Sequence, residues 1–201
     1  SNGTVRARFA GEASLREMKV ERVPDPIEIA GPWTVQFDPK WTKPAVGKNG
    51  KIIFEQLDDW TQRPEEGIKY YSGTAVYQNT FSVPKAWLKG GREMVLDLGR
   101  VEEMAEVFVN GKPAGILWKK PFEVDVTKWL KAGKNQLEVR VVNLWPNRLI
   151  GDERLVENNG FVNGKWPESV TKNQTPPGGR LTFTTRTHWS KHAKPLSSGL
   201  L

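Results

Sequence analysis

Apolar and polar residues alternate with period two along most of this chain. The clearest case is the stretch from Ala105 to Trp118. Ala105, Val107 and Val109 alternate with Glu106, Phe108 and Asn110, the pattern of a strand with two distinct faces. Asn110-Gly111 then offers the two positive-φ residues of a tight hairpin turn, and Ile116, Leu117 and Trp118 carry the return strand. The same alternation predicts strands elsewhere. Trp33, Val35 and Phe37 oppose Thr34, Gln36 and Asp38. Ala75, Tyr77, Phe81 and Val83 oppose Val76, Gln78 and Thr80 until Pro84 stops the run. Met94, Leu96 and Leu98 form another strand, as do Phe122, Val124 and Val126 against Glu123 and Asp125. Leu137, Val139 and Val141 oppose Glu138 and Arg140, and Leu181 and Phe183 oppose Thr182 and Thr184. Ile52-Ile53-Phe54 reads as a short strand. Helix is confined to a turn over 85–89 and a short segment over 128–132, capped by Thr127 and ended by Gly133.

About eight to ten strands at short intervals, with almost no helix, predict an all-β fold. Irregular connections and long loops favour a jelly-roll β-sandwich over an up-and-down barrel. Residues 1–30 read as an approach segment. It opens on Ser1-Asn2-Gly3, which resembles an expression scar, and Pro24 and Pro26 close it. Residues 31–201 read as one jelly-roll domain. Within it, 145–179 changes character: Trp145-Pro146-Asn147-Arg148, Gly151-Asp152, Asn158-Asn159-Gly160 and Pro176-Pro177-Gly178-Gly179 predict a long loop of the kind that usually carries function. The chain stops at Gly199-Leu200-Leu201, inside an apolar run, so a continuation is expected.

Composition narrows the picture. Apolar residues make up 37% of 201, a low share offset by nine Trp and eight Phe, each of which buries a large area. Thirty basic against twenty-three acidic residues give +7. The charges are scattered, which favours a solvated surface over an anion or nucleic-acid site. The absence of Cys excludes disulfides, thiolate metal sites and a Cys nucleophile. No apolar run approaches the roughly 18 residues of a membrane span, so no membrane partner is expected. An export signal would lie upstream of the scar.

Few motifs carry chemistry of their own. Asp58-Asp59, Glu65-Glu66 and Glu102-Glu103 are adjacent carboxylates, but neighbours on a strand point to opposite faces, so adjacency does not make a catalytic pair. His188 and His192 have the spacing of a helical zinc pair without a helical context or a third ligand. Trp118-Lys119-Lys120 could stack on and pair with single-stranded nucleic acid; a strand end whose Trp packs while the lysines are solvated fits better. The richest constellation is Trp145, Asn147, Arg148, Asp152, Trp166, His188 and Trp189. Aromatic plates match the C–H faces of sugars, and Asn, Asp and Arg match their hydroxyls. The same residues also fit a structural reading, in which Trp145 and Trp189 plug the edge of the core while Arg148 pairs with Asp152. Loop carboxylates and carbonyls leave room for a structural calcium, though no ordered Asp/Asn ladder marks one. No other cofactor is expected.

The runs Ser72-Gly73-Thr74-Ala75-Val76-Tyr77, Leu96-Asp97-Leu98-Gly99, Ala105 to Lys112, Pro121 to Thr127 and Gly133-Lys134-Asn135 together resemble the sugar-binding domain of glycoside hydrolase family 2, a jelly roll of the galactose-binding type. Trp145 to Glu153, Arg180 to Thr185 with His188-Trp189, and Ser198 to Leu201 are similar to the C-terminal domain of bacterial family 106 α-L-rhamnosidases and their relatives. The resemblance implies an exported, periplasmic or cell-surface bacterial polysaccharide-degrading hydrolase. Its catalytic carboxylates would sit on a separate (β/α)₈ barrel of about 250 residues, beyond the reach of this chain. The expected role is a non-catalytic accessory domain. The catalytic domain of the same polypeptide is its expected partner, and an oligo- or polysaccharide its candidate ligand. An autonomous carbohydrate-binding module is the alternative.

Overall fold

A computed structural model describes residues 3–7, 16–20, 25–42, 46, 49–155, 164–166, 168–174, 182 and 189–201. The strands, in chain order, are β1 (Gly3–Ala7), β2 (Arg16–Val20), β3 (Trp33–Gln36), β4 (Lys51–Phe54), β5 (Thr74–Val83), β6 (Val95–Asp97), β7 (Val101–Glu102), β8 (Met104–Val109), β9 (Lys112–Leu117), β10 (Glu123–Asp125), β11 (Gly133–Val142) and β12 (Gly199–Leu200). Every ladder among them is antiparallel.

Six strands form the main sheet in the order β4-β3-β5-β11-β8-β9. Its inner face follows from the period-two pattern: Val35, Ala75, Tyr77, Ala105, Val107, Val109, Val139 and Val141 are all fully buried. The second layer is thinner. It comprises the two-stranded ladders β6–β10 and β7–β12, together with Trp60, Leu98, Phe122, Val126 and Leu200 from loops and strand ends. The two layers share one core, as a β-sandwich requires. Aromatic rings fill its centre edge-to-face: Phe37 meets Trp60 at 5.2 Å and Tyr71 at 5.0 Å between centroids.

The β8–β9 hairpin is the turn that its sequence predicts, with Asn110 at φ 51° and Gly111 at φ 75°. The Asn110 side chain does more than turn. Its Nδ2 donates to Trp129 O and to Asn135 Oδ1, both at 2.8 Å, and its Oδ1 accepts from Gln136 N at 3.0 Å. The hairpin tip is thereby tied to the start of β11.

The structure departs from the sequence expectations in five places. The approach segment holds a paired hairpin, β1–β2. The helix expected over 128–132 is a single 3-10 turn, Thr127–Trp129. Pro146–Glu153, read as loop, is a helix with Pro in its first turn. There the missing N–H costs nothing and the fixed φ suits the helix, so Pro146 and Gly151 misled as turn signals. Trp118, expected to pack, is 68% exposed, because it lies just past Leu117, the last paired residue of β9, on the uncovered side. Gly199–Leu200, for which no strand is expected, is β12: it pairs with β7, and Leu200 is buried. Of the strand expected around 181–184, Thr182 alone lies within the described residues, and His188 lies outside them.

Candidate functional site

The candidate site grows from the end of β11. Its inward register, Leu137, Val139 and Val141, reaches next to Asn143, a polar side chain at a core position. A buried amide must be hydrogen-bonded or it costs stability, and Asn143 is satisfied. Its Nδ2 donates to Tyr71 O at 2.8 Å and to Ser198 Oγ at 3.0 Å, and its Oδ1 accepts from Gly73 N at 2.9 Å. Ser72 ties the next turn. Its Oγ donates to Leu144 O at 2.8 Å and accepts from Arg148 N at 3.0 Å, anchoring the first turn of the Pro146–Glu153 helix.

That helix then places the predicted residues. Asn147 is 1% exposed and Asp152 is fully buried. Asn147 Nδ2 donates to Leu196 O at 2.7 Å and Ser198 Oγ at 3.0 Å, while its Oδ1 accepts from Leu196 N at 2.7 Å. Arg148 Nη2 pairs with Asp152 Oδ1 at 2.8 Å one helical turn away, and Asp152 Oδ2 accepts from Thr182 N and Thr182 Oγ1. These three side chains face the interior and hold the chain to itself. Trp166 and Trp189 are half-buried.

Trp145 differs from the rest. It is 60% exposed, and its ring meets Trp41 edge-to-face at 6.5 Å. Lys40 Nζ stands 5.4 Å from the Trp41 ring. Trp41 itself is half-buried against the core, so among the described residues of the constellation Trp145 is the one most open to a ligand in solvent. A separate cleft of about 920 Å³ between the main sheet and β6 is lined by Trp33, Phe81, Trp87, Leu96, Leu130 and Leu137 among others. The charged residues Asp25, Glu28, Arg92, Glu93 and Asp97 also line it.

One member of each adjacent carboxylate pair is tied into the structure. Asp59 accepts from Ser197 Oγ at 2.6 Å, Thr61 Oγ1 at 2.8 Å, Thr61 N at 2.9 Å and Ser198 N at 3.2 Å. Partial burial pushes its acidity toward higher pKa, but these donors outweigh that and hold the carboxyl below the ordinary carboxylate value. A carboxyl held ionised in this way is a poor general acid. Glu65 takes a two-point contact from Arg63 at 2.9 and 3.0 Å, and Glu102 is paired with Arg100 at 2.7 Å.

Sequence reasoning gave no site role to Ser72, Asn143, Ser198 or Trp41, and read Asp59 only as half of an acidic pair. Asn143 alone carried a legible signal, a polar residue at an inward position of a strong strand. Trp41 lies in a four-residue helix, Pro39–Thr42, and the other three in turns and loops; each has a partner far away in sequence.

Comparison with known proteins follows the same lines. Residues 25–167 match the family described as "Glycosyl hydrolases family 2, sugar binding domain". A Formosa agariphila protein named "Putative beta-glucuronidase" is 48% identical over 185 residues, which are 90% of this chain and 16% of that protein. A solved rhamnosidase from Novosphingobium sp. PP1Y superposes with a TM-score of 0.68 at 29% identity, over 90% of this chain and 15% of its own. The chain thus spans about a sixth of the length of these relatives.

Proposed function

We infer that this chain, which belongs to the sugar binding domain family of the family 2 glycosyl hydrolases, is the non-catalytic accessory domain of a polysaccharide-degrading glycoside hydrolase. It buttresses the catalytic barrel of the same polypeptide and lends an aromatic edge to the substrate cleft. The observation that carries this reading is the division of labour in the candidate site. Asn147, Arg148 and Asp152 are spent on internal contacts, so their polar chemistry builds the shape. Trp145 is left facing outward, its ring edge-to-face with the half-buried Trp41. The match to a rhamnosidase and to a protein named for β-glucuronidase, each about six times longer than this chain, supports a glycosidase as the parent.

Trp145 also keeps the autonomous-module reading alive, because a solvent-open indole is what such a module requires. One experiment separates the two. Tryptophan fluorescence of the 201-residue chain is titrated with a broad oligosaccharide panel, alongside Trp145→Ala. The accessory reading expects weak or no response from the isolated chain. In the full-length enzyme it expects Trp145→Ala to raise KM on polysaccharide while an aryl glycoside is turned over normally. Tight binding by the isolated chain, lost in Trp145→Ala, establishes the module instead. Glycosidase turnover by the isolated chain, abolished by changing one of its carboxylates, sinks both.

A further inference from the structure

The outer face of the main sheet is divided in two. Over β5, β11 and the middle of β8 it is polar and closed. Arg140 pairs with Glu138 at 2.8 Å and Glu106 at 3.4 Å, Gln78 bonds Glu138 at 2.9 Å, and the Arg140 guanidinium covers the Phe108 ring at 4.3 Å. The corner formed by β9, β8 and the end of β11 is apolar and open. Val142 registers with Met104 across β11–β8, and Glu106 with Ile116 across β8–β9. Trp118 follows Leu117, the partner of Ala105, and so runs alongside Met104. Inward positions on these strands, Ala105, Val107 and Val141, are fully buried, which puts Met104, Ile116, Val142 and Leu144 on the outer side. Met104 is 38% exposed, Leu144 48%, Ile116 60% and Trp118 68%. β9 and β11 lie two strand spacings apart, about 10 Å, so the patch crosses three strands.

We propose that this corner is the face on which another domain of the same polypeptide docks, through an apolar surface bordered by acidic residues. Contiguous exposed apolar residues on one side of a sheet mark an interaction surface. The occupant is protein because the patch is mostly aliphatic. Met, Ile, Leu and Val offer a sugar ring no flat plate, whereas Trp and Met are enriched at the centres of protein interfaces. The occupant lies in the same polypeptide because both relatives are about six times the length matched here, and contacts between domains of one chain commonly bury about 600–1,500 Å². Its border is acidic because Lys119 and Lys120 follow Trp118 directly and are both exposed, Lys119 Nζ standing 5.5 Å from the Trp118 ring. This rests on the accessory-domain reading in one respect, that the partner belongs to the parent enzyme.

Hydroxyl-radical footprinting of the full-length protein and of the 201-residue chain tests it. Trp118 and Met104 are expected to react several-fold more slowly in the full-length protein, while exposed Ile53, alone on the far edge strand, reacts equally in both. Equal rates at Trp118 overturn the proposal. So does protection of the short chain that appears with rising concentration, which makes a second copy the occupant, or on adding oligosaccharide, which makes it a glycan. Trp118→Glu in the full-length protein should loosen the domain, restoring fast labelling of Met104, with the melting temperature of the short chain unchanged. A fall in that temperature would assign Trp118 to the fold and overturn the proposal. Protection at Trp118 in a full-length protein without glycosidase activity would end the accessory-domain reading and leave this surface standing.

Discussion

Asn147 and Leu196 meet as two strands would. The side-chain amide of Asn147 donates to the Leu196 carbonyl and accepts from the Leu196 N–H, both at 2.7 Å. One side chain thus reproduces a β-ladder pair between a helix and a segment 49 residues away, and it adds a third bond to Ser198 Oγ at 3.0 Å. Asn147→Ala should therefore act on stability, because it removes the acceptor of the Leu196 N–H and leaves the Leu196 carbonyl with Ser198 Oγ alone, at 3.0 Å. The expected loss is about 2–3 kcal/mol, from three hydrogen bonds of which one is buried and two are partly buried, at roughly 1 kcal/mol each. Urea denaturation followed by tryptophan fluorescence measures it. Unchanged stability with lost sugar binding would place Asn147 in a ligand site instead.

The terminal segment has a second anchor whose strength depends on pH. Asp59 accepts from Ser197 and Ser198, and its carboxyl is held below its ordinary value despite partial burial. The folded state therefore favours the ionised form. Its contribution is complete above the unfolded carboxylate value of about 4 and is lost as pH falls through the lower folded value. The native protein should show a drop in melting temperature below about pH 4, and Asp59→Asn should have a lower melting temperature at neutral pH and a shallower acid limb. An acid limb of unchanged steepness in Asp59→Asn would assign that limb to other carboxylates.

At the other end of the pH scale, Tyr77 is the informative group. Its hydroxyl accepts from Trp60 Nε1 at 2.6 Å and from Leu200 N at 3.3 Å. Burial pushes the phenol up to about 12, with the Trp60 and Leu200 donors pulling the other way. A folded value above the ordinary value of about 10 means that the stabilising effect is full below pH 10 and is lost as pH rises toward about 12. Ultraviolet titration should show Tyr77 ionising at about 12, while burial raises Tyr71 as well, and Tyr77→Phe should lack the step near 12. The same change leaves the Trp60 indole N–H and the Leu200 N–H without their acceptor, at an expected cost of about 1–3 kcal/mol at neutral pH.

Much of this was legible in the sequence because sandwich strands advertise themselves. The alternations around Val35, Tyr77, Val107 and Val139 gave the inner face of the main sheet, residue by residue, since period two leaves no other way to bury one face. The Asn110-Gly111 turn was legible because positive φ at two successive residues has a short vocabulary. What escaped was long-range and polar. Nothing near Asn147 in sequence announces Leu196, and nothing near Asp59 announces Ser197, because such pairs are made by the fold. The outward Trp118 was misread for a related reason: a strand's sequence shows two faces, but whether a second layer covers either is settled by distant segments. The helix at Pro146 was too short to show a period and opened with a residue usually read as a breaker.

Gly151 gives the sharpest test of how tightly that helix is seated. In an exposed helix interior, Gly→Ala normally stabilises by about 1 kcal/mol. Here the helix lies directly on Tyr70, and a Cβ on Gly151 would sit 2.5 Å from Tyr70 Cβ and 2.7 Å from Arg148 Nη2. Tyr70 is 5% exposed, and its Cβ is fixed to the backbone, so it cannot swing away. Arg148 cannot yield freely either, since the same Nη2 holds Asp152 at 2.8 Å. The helix must therefore shift as a body, straining the Asn147–Leu196 pair and the Ser72 anchor with it. Gly151→Ala is expected to destabilise by about 1–3 kcal/mol, the usual range for overpacking. Combined with Asn147→Ala it should cost less than the sum of the two, because both loosen the same contacts. A stabilised Gly151→Ala, or strict additivity in the double variant measured by urea denaturation, would show that the helix sits more loosely on Tyr70 than this packing requires.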